Sequence, residues 1–229
     1  MKGCLAMDYD YDIKDYSPWI RVDDVNFEEL DYDKFKRTFK KNEIIYLQGS
    51  VVDYVYIMME GRVRIFVTSK DGSEQCLCIV ERGVLFGDLA AIDGLPNYAG
   101  AICVVDSNVL RVPKEIFLSD LFANPSLNRL VLNSFAKKVR VLSNNLTNLN
   151  FADASSRVKS YLLKFAFAHG EFLDNKCCLR EKFTHQEMAN LTGLSRVAVS
   201  NVMSEMLSKN ILEKKDGLIV INDIHKLYT

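Results

Sequence analysis

Apolar and polar positions along the chain fall into three successive patterns. From Thr38 to Val112 the hydrophobic residues come in short β-rich runs: Glu43–Tyr46, Tyr54–Met58, Val63–Val67, Gln75–Val80, Tyr98–Val105 and Val109–Val112. Turn residues separate them at Gln48-Gly49, Glu60-Gly61, Asp71-Gly72 and Arg82-Gly83. Asp-Gly between two strand-like runs is a hairpin signal. Many short strands spaced this way predict a sandwich or barrel. A short helix is predicted from Lys114 to Leu121.

The second pattern is one long helix, Ser126–Phe151, introduced by Pro125 and free of internal Pro or Gly. Leu132, Phe135, Val139, Leu142, Leu146 and Leu149 recur along it at alternating steps of three and four. That is a heptad seam, the mark of a helix that pairs with another helix. At 1.5 Å per residue it would run about 39 Å. A core helix inside a single domain is the competing reading, and the flanks bear on it.

The third pattern begins at Asp153, a good N-cap for a helix over Ala154–Ala168 that Gly170 would end. Thr184-His185-Gln186-Glu187 reads as a capping box. Ala189 is a small residue where two helices can touch, Gly193 supplies a left-handed turn, and Ser195 caps a second helix. Leu194, Val199 and Val202 are its predicted core. Asp216-Gly217 lies between two further β-rich runs, Ile211–Lys214 and Leu218–Ile221, and predicts a second hairpin. Residues 1–33 carry the least pattern: an acidic, Tyr-rich lead-in with a short helix over Phe27–Lys34.

Composition adds size and charge. The chain has 229 residues, 48% hydrophobic and 26% charged, which suits two soluble globular domains. Neither a membrane span nor a signal peptide is visible, so a cytoplasmic location is expected and disulfides are not, despite six cysteines. The net charge of −1 hides an asymmetry. Residues 1–125 hold 14 Lys and Arg against 21 Asp and Glu, a net of −7, whereas residues 126–229 hold 15 against 9, a net of +6. A basic half suits contact with a polyanion.

The register of Gly49, Gly61, Gly72, Gly83 and Gly87, followed by Asp88-Leu89, resembles the cyclic-nucleotide-binding β-roll. More closely, it resembles the sensor domain of the CRP/FNR transcription regulators. The helix-turn-helix and hairpin of the third pattern extend the resemblance from about Thr38 to Asp223. The fold it implies is α+β: an N-terminal antiparallel, jelly-roll-like β-roll (residues 1–125), a long dimerisation helix and hinge (126–152), and a C-terminal winged helix-turn-helix (153–229). It further implies a homodimer, double-stranded DNA and RNA polymerase as partners, and a small-molecule effector, with no membrane and no catalysis. An enzyme is disfavoured by the residues too, for no metal-binding His group, phosphate-cradling loop or Ser/His/Asp grouping stands out. A regulator that works through a protein partner without DNA is the alternative.

The site residues follow from the same resemblance. The effector would lie among Gly87, Asp88, Leu89, Tyr98, Ala99 and the long helix. Members that bind cyclic AMP carry an Arg-Ser pair where this chain has Tyr98-Ala99, and an anionic phosphate in a dry pocket needs a paired cation. Cyclic AMP is therefore not the expected effector. Tyr98 facing the pocket is either a ligand contact or a ring that fills an empty site. Asn97–Ala101 looks most like the halorespiration regulators of the family. Lys138 is either a partner for an acidic effector or part of a solvated basic face with Lys137 and Arg140. No cofactor is expected: an iron–sulfur cluster lacks its thiolates, with only Cys4 in the first 75 residues, and haem lacks an axial His, since His169, His185 and His225 all lie in the C-terminal part. Cys76, Cys78, Cys177 and Cys178 read as structural. For DNA, Thr184, Gln186 and Ser195 match phosphate-holding positions. Arg196, Val197, Ser200 and Asn201 would face the groove, and Asn on adenine with Val on a thymine methyl predicts an A/T-rich half-site.

Overall fold

A computed structural model describes residues 16–228. The chain divides into two compact units, one spanning Trp19–Val139 and the other carrying the residues from Arg140 onward.

The first unit is built from β1 (Trp19–Ile20), β2 (Lys36–Phe39), β3 (Ile44–Tyr46), β4 (Tyr54–Glu60), β5 (Val63–Thr68), β6 (Glu74–Val80), β7 (Leu85–Phe86), β8 (Gly100–Cys103) and β9 (Ser107–Pro113). They form a five-stranded sheet in the order β1-β6-β5-β8-β3 and a four-stranded sheet in the order β2-β9-β4-β7. Val55, Ile57, Met58, Val63, Val80, Ala101, Val109 and Val112 have no exposed surface and form the core. The Asp71-Gly72 turn closes the β5–β6 hairpin as its dipeptide predicts, with the Gly72 amide donating to Ser69 O at 3.0 Å. Gly61 stands at φ 104°, and a Cβ there would lie 2.4 Å from Ser107 Oγ, so both backbone and space demand glycine.

One strand adds to the expected antiparallel roll, and the reading of residues 16–35 needs correction. Pairing is antiparallel throughout except at β1, whose two residues run parallel to Ile79 and Val80. The predicted helix over Phe27–Lys34 is two 3-10 turns, Glu28–Leu30 and Asp33–Phe35, parted by Asp31 in the left-handed region at φ 53°. The stretch is also no loose lead-in from residue 19 on, because Trp19, Ile20, Val22, Leu30 and Tyr32 are all buried. Residues 1–15, including Cys4, lie outside the described residues.

Three helices complete this part: α1 (Asp88–Asp93), α2 (Lys114–Ala123) and α3 (Pro125–Phe151), the last running on into the second unit. Asn124 Oδ1 accepts from the amides of Ser126 and Leu127, so Asn124 acts as the cap of α3 and Pro125 takes the first position, where its missing N–H costs nothing. Along α3, Leu127, Leu130, Val131 and Ser134 are buried, and the Leu85 amide donates to Ser134 Oγ at 3.2 Å, which ties the helix to β7.

The second unit continues through α4 (Ala154–His169), β10 (Gly170–Leu173), β11 (Lys176–Leu179), α5 (His185–Thr192), α6 (Arg196–Ser208), β12 (Leu212–Lys215) and β13 (Leu218–Ile221). Its sheet has the order β10-β11-β13-β12. The β12–β13 hairpin turns at Asp216 and Gly217, with φ 52° and 75°, the two successive positive values of a type I′ turn. Asp153 caps α4, accepting from the Ser156 amide at 2.7 Å. Gly170 ends α4 as expected, with φ −97° and its amide donating to Ala166 O. It is glycine because a Cβ would fall 2.3 Å from Cys177 Sγ and 2.5 Å from Ala166 O, where β10 turns back onto β11.

Candidate functional site

In the second unit, α5 and α6 form a helix-turn-helix. Thr184 Oγ1 accepts from the Glu187 amide at 3.1 Å and Glu187 Oε2 accepts from the Thr184 amide at 2.6 Å, so the capping box is complete. Gly193 ends α5 at φ 66°, and Ser195 Oγ accepts from the Ala198 amide to start α6. Met188, Ala189, Val199, Val202, Met203 and Met206 are buried, while Leu194, expected among them, is half-buried. Thr184, Gln186, Ser195, Arg196, Val197 and Asn201 are exposed and Ser200 is half-buried. Val197 is 68% exposed, an apolar side chain left in water at the first turn of a helix. The hydroxyls of Thr184 and Ser195 accept within their caps and keep a proton to donate outward. Gln186 Nε2 donates to Asn190 Oδ1 at 2.7 Å.

Sequence reading missed two features here. Lys214 and Lys215 precede the hairpin turn, both exposed, and Lys182 Nζ lies 3.4 Å from where a Cβ on Gly217 would be, at the same turn. The Lys-Lys pair was visible in sequence; the approach of Lys182 was not. Arg157 was also passed over. Its guanidinium donates to Leu149 O and Ala152 O at 3.0 Å each and to Thr192 O at 3.4 Å. One side chain thus binds the last turn of α3, the link to α4 and the end of α5.

On α3, five of the six seam residues are open to solvent within the chain: Leu132 at 67%, Val139 at 60%, Leu142 at 45%, Leu146 at 62% and Leu149 at 46%. Phe135 is half-buried. Monomeric proteins rarely leave an apolar strip of this length bare.

The expected effector corner is only partly assembled. Gly87 adopts φ 72° just before α1, and Asp88 is buried. Lys138 Nζ lies 2.8 Å from both Asp88 oxygens. Both readings of Lys138 therefore change: its charge is spent on Asp88, so it neither waits for an acidic effector nor belongs to a solvated face. Below Gly87 the rings of Tyr46, Tyr56 and Phe86 cluster, with Tyr56 and Phe86 stacked at 5.0 Å. Burial and then the Asp88 charge push the Tyr46 phenol well above its usual range. Ala99 is buried and Leu89 exposed. Tyr98 is 74% exposed, which corrects the expectation that it faces the pocket. Asn97 and Ala99, on either side of it in the bend before β8, are buried instead. Asn97, not singled out from the sequence, donates to Ser50 Oγ and accepts from the Gly49 amide.

Burial pushes the thiols of Cys76 and Cys78 up, that of Cys78 to about 12. Among the described residues no group of His, Cys, Asp and Glu is placed to hold a metal ion. No helix among them is long and apolar enough to cross a membrane.

These features agree with what the chain is similar to. Residues 36–124 match the cyclic nucleotide-binding domain family and residues 156–229 the Crp-like helix-turn-helix domain family. A CRP-like cAMP-activated global transcriptional regulator of Mycobacterium tuberculosis is 25% identical over 189 residues, covering 82% of this chain and 84% of that protein. Among solved structures, a CooA mutant from Carboxydothermus hydrogenoformans superposes with a TM-score of 0.74 at 21% identity, covering 90% of this chain and 96% of that one. OCPA-complexed CprK superposes with a TM-score of 0.71 at 16% identity, covering 93% and 99%; at these identities the two structures speak to the fold. With a nucleotide-binding-type β-roll, a long helix and a Crp-like helix-turn-helix in one chain, this protein belongs to the CRP/FNR family of transcription regulators.

Proposed function

We propose that the protein is a homodimeric, effector-gated regulator that reads a palindromic, A/T-rich DNA site in the cytoplasm, with RNA polymerase as a further partner. Its working parts are a sensor (1–125), a dimerisation helix and hinge (126–152) and a DNA reader (153–229). The observation that carries this reading is the face of α6 left open by the fold: Arg196, Val197 and Asn201 stand exposed beside the hydroxyls that match phosphate positions. Asn201 suits adenine, Val197 a thymine methyl, and Arg196 a guanine or a phosphate. The bare seam of α3 supports the dimer. Six seam side chains, at roughly 1.5–3 kcal/mol each when buried, outweigh an association cost of several kcal/mol.

The effector is a small molecule other than cyclic AMP. Tyr98 and Ala99 bring no cation to the phosphate position, and Lys138 already has its counter-ion in Asp88. An effector acts by binding one arrangement of the protein more tightly than another, whatever its absolute affinity. Selection of bound sequences from a random pool tests the reading. A/T-rich half-sites about one helical turn apart, with affinity falling about 10³- to 10⁵-fold between 50 and 200 mM salt, support it. G/C-rich sites, or binding that ignores salt, contradict it.

A further inference from the structure

Beyond Val139, in the second unit, α3 shows two faces. Leu142, Leu146 and Leu149 carry the bare seam. Val141, Asn144 and Asn148, at steps of three and four, form another face, on which Val141 is buried. Lys164 of α4 is buried, and its Nζ donates to Asn144 Oδ1 at 2.5 Å. Asn148 Nδ2 donates to the same oxygen at 3.1 Å, which holds the Asn144 amide in one orientation. About two turns earlier on α4, Arg157 bonds Leu149 O and Ala152 O, so the two helices are tied at two levels of an antiparallel hairpin. The helix α6 packs in turn against α4. Stability alone does not explain an ammonium at the tie far from the link. Desolvating it is costly, and an apolar side chain of similar size would commonly serve as well or better. What the ammonium–amide bond supplies is register: sliding α4 along α3 by one turn breaks it and strands a desolvated donor.

We propose that the Asn144–Lys164 pair is a positioning contact for DNA reading. It fixes how α4, and with it α6, is set on the half of α3 that bears Leu142, Leu146 and Leu149. In a dimer joined at that seam, it thereby sets the separation and phase of the two α6 helices. A palindromic site is read only where its half-sites match that separation. One base pair more or less moves a half-site by about 3.4 Å and turns it by about 35°. The inference rests on the dimeric, DNA-reading function proposed above. Neither residue is among those assigned to DNA contact, so the pair acts through the placement of α6. Its signature is a change in spacing preference, not a uniform loss of affinity.

The test is a gel-shift series with the full chain on a selected site and on versions of it with one or two base pairs added to or removed from the centre. The parent should lose at least about tenfold in affinity two base pairs away from the selected spacing. Lys164→Met removes the donor and leaves Asn144 its bond from Asn148. That variant should bind the selected spacing about tenfold more weakly and discriminate between spacings by less than about threefold. Asn144→Asp keeps an acceptor for Lys164 and should retain the parent's preference. Should Lys164→Met fail to fold, Asn144→Asp and the double variant Asn144→Leu/Lys164→Met, which removes both partners, still decide. A Lys164→Met protein with the parent's spacing preference, or one whose affinity falls equally at every spacing, would overturn the proposal. So would an Asn144→Asp protein that loses the preference, or a parent that has none. If selection returns no site at all, the DNA-reading function falls and the proposal with it.

Discussion

Lys138 Nζ sits 2.8 Å from both carboxylate oxygens of Asp88, and the two side chains are only 13% and 2% exposed. The pair joins α1 to α3 at the corner where the resemblance places an effector. Breaking one half of a buried pair strands the other charge, at a cost of about 3–5 kcal/mol. Lys138→Met should lower unfolding stability by that order in urea titrations. Adding Asp88→Asn should restore much of it, because the double variant strands no charge. A single variant within about 0.5 kcal/mol of the parent would show that the pair is not closed in solution.

Arg157 makes a second prediction. Its donors hold carbonyls at Leu149, Ala152 and Thr192, so its loss frees the end of α3, the α3–α4 link and the end of α5 together. Arg157→Ala should speed amide exchange around residues 149–153 and cost roughly 2–3 kcal/mol of stability. Arg157→Lys should rescue little, because one ammonium cannot reproduce the fork. Unchanged exchange at residues 149–153 would contradict the assignment.

The buried thiols should be inert. Cys76 is buried and its thiol is pushed up, Cys78 is pushed up to about 12, and Cys177 to about 11, in each case mainly by burial. Almost no thiolate exists at pH 8 in such groups, and the thiolate is the reactive form. Iodoacetamide at pH 8, read by peptide mapping, should leave all three unlabelled in the native protein and label them after denaturation. Rapid native labelling of Cys76 or Cys78 would instead mark an open sensor.

The cap of α4 gives a pH dependence. Hydrogen bonds from Ser156, backbone first and then side chain, hold the Asp153 carboxyl below the usual carboxylate range. The folded-state value is thus below the unfolded one, about 3.9. The stabilisation is present above about pH 4 and is lost as pH falls through the folded value. Asp153→Asn keeps a capping acceptor that cannot titrate, so its thermal midpoint should fall less steeply between pH 4 and 2. An acid limb as steep as the parent's would sink this reading.

What the sequence showed and what it hid divide along physical lines. The α3 seam was legible because a helix imposes its period on Leu132, Leu142 and Leu146 locally. Asp71-Gly72, Asp216-Gly217 and the Thr184–Glu187 box were legible because each closes within four residues. The direction of Tyr98 was not, since it lies in a bend before β8 whose path is set by packing rather than by a strand's period. Lys138 finds Asp88 fifty residues away, and Lys182 approaches Gly217 across the wing, so neither contact leaves a local trace. Gly170 was legible as the end of α4, but the closeness of Cys177 that makes it glycine was not.

The central claim is that α3 joins two copies and that the joined pair is what reads DNA. Leu142, 45% exposed in the middle of the seam, is the most direct probe. Leu142→Glu places a charge where the partner helix should pack. Its mass in solution, measured by light scattering alongside a gel shift on a selected site, should be that of one 26.1 kDa chain, with DNA binding lost. A Leu142→Glu protein that stays dimeric and still shifts the DNA would contradict the account.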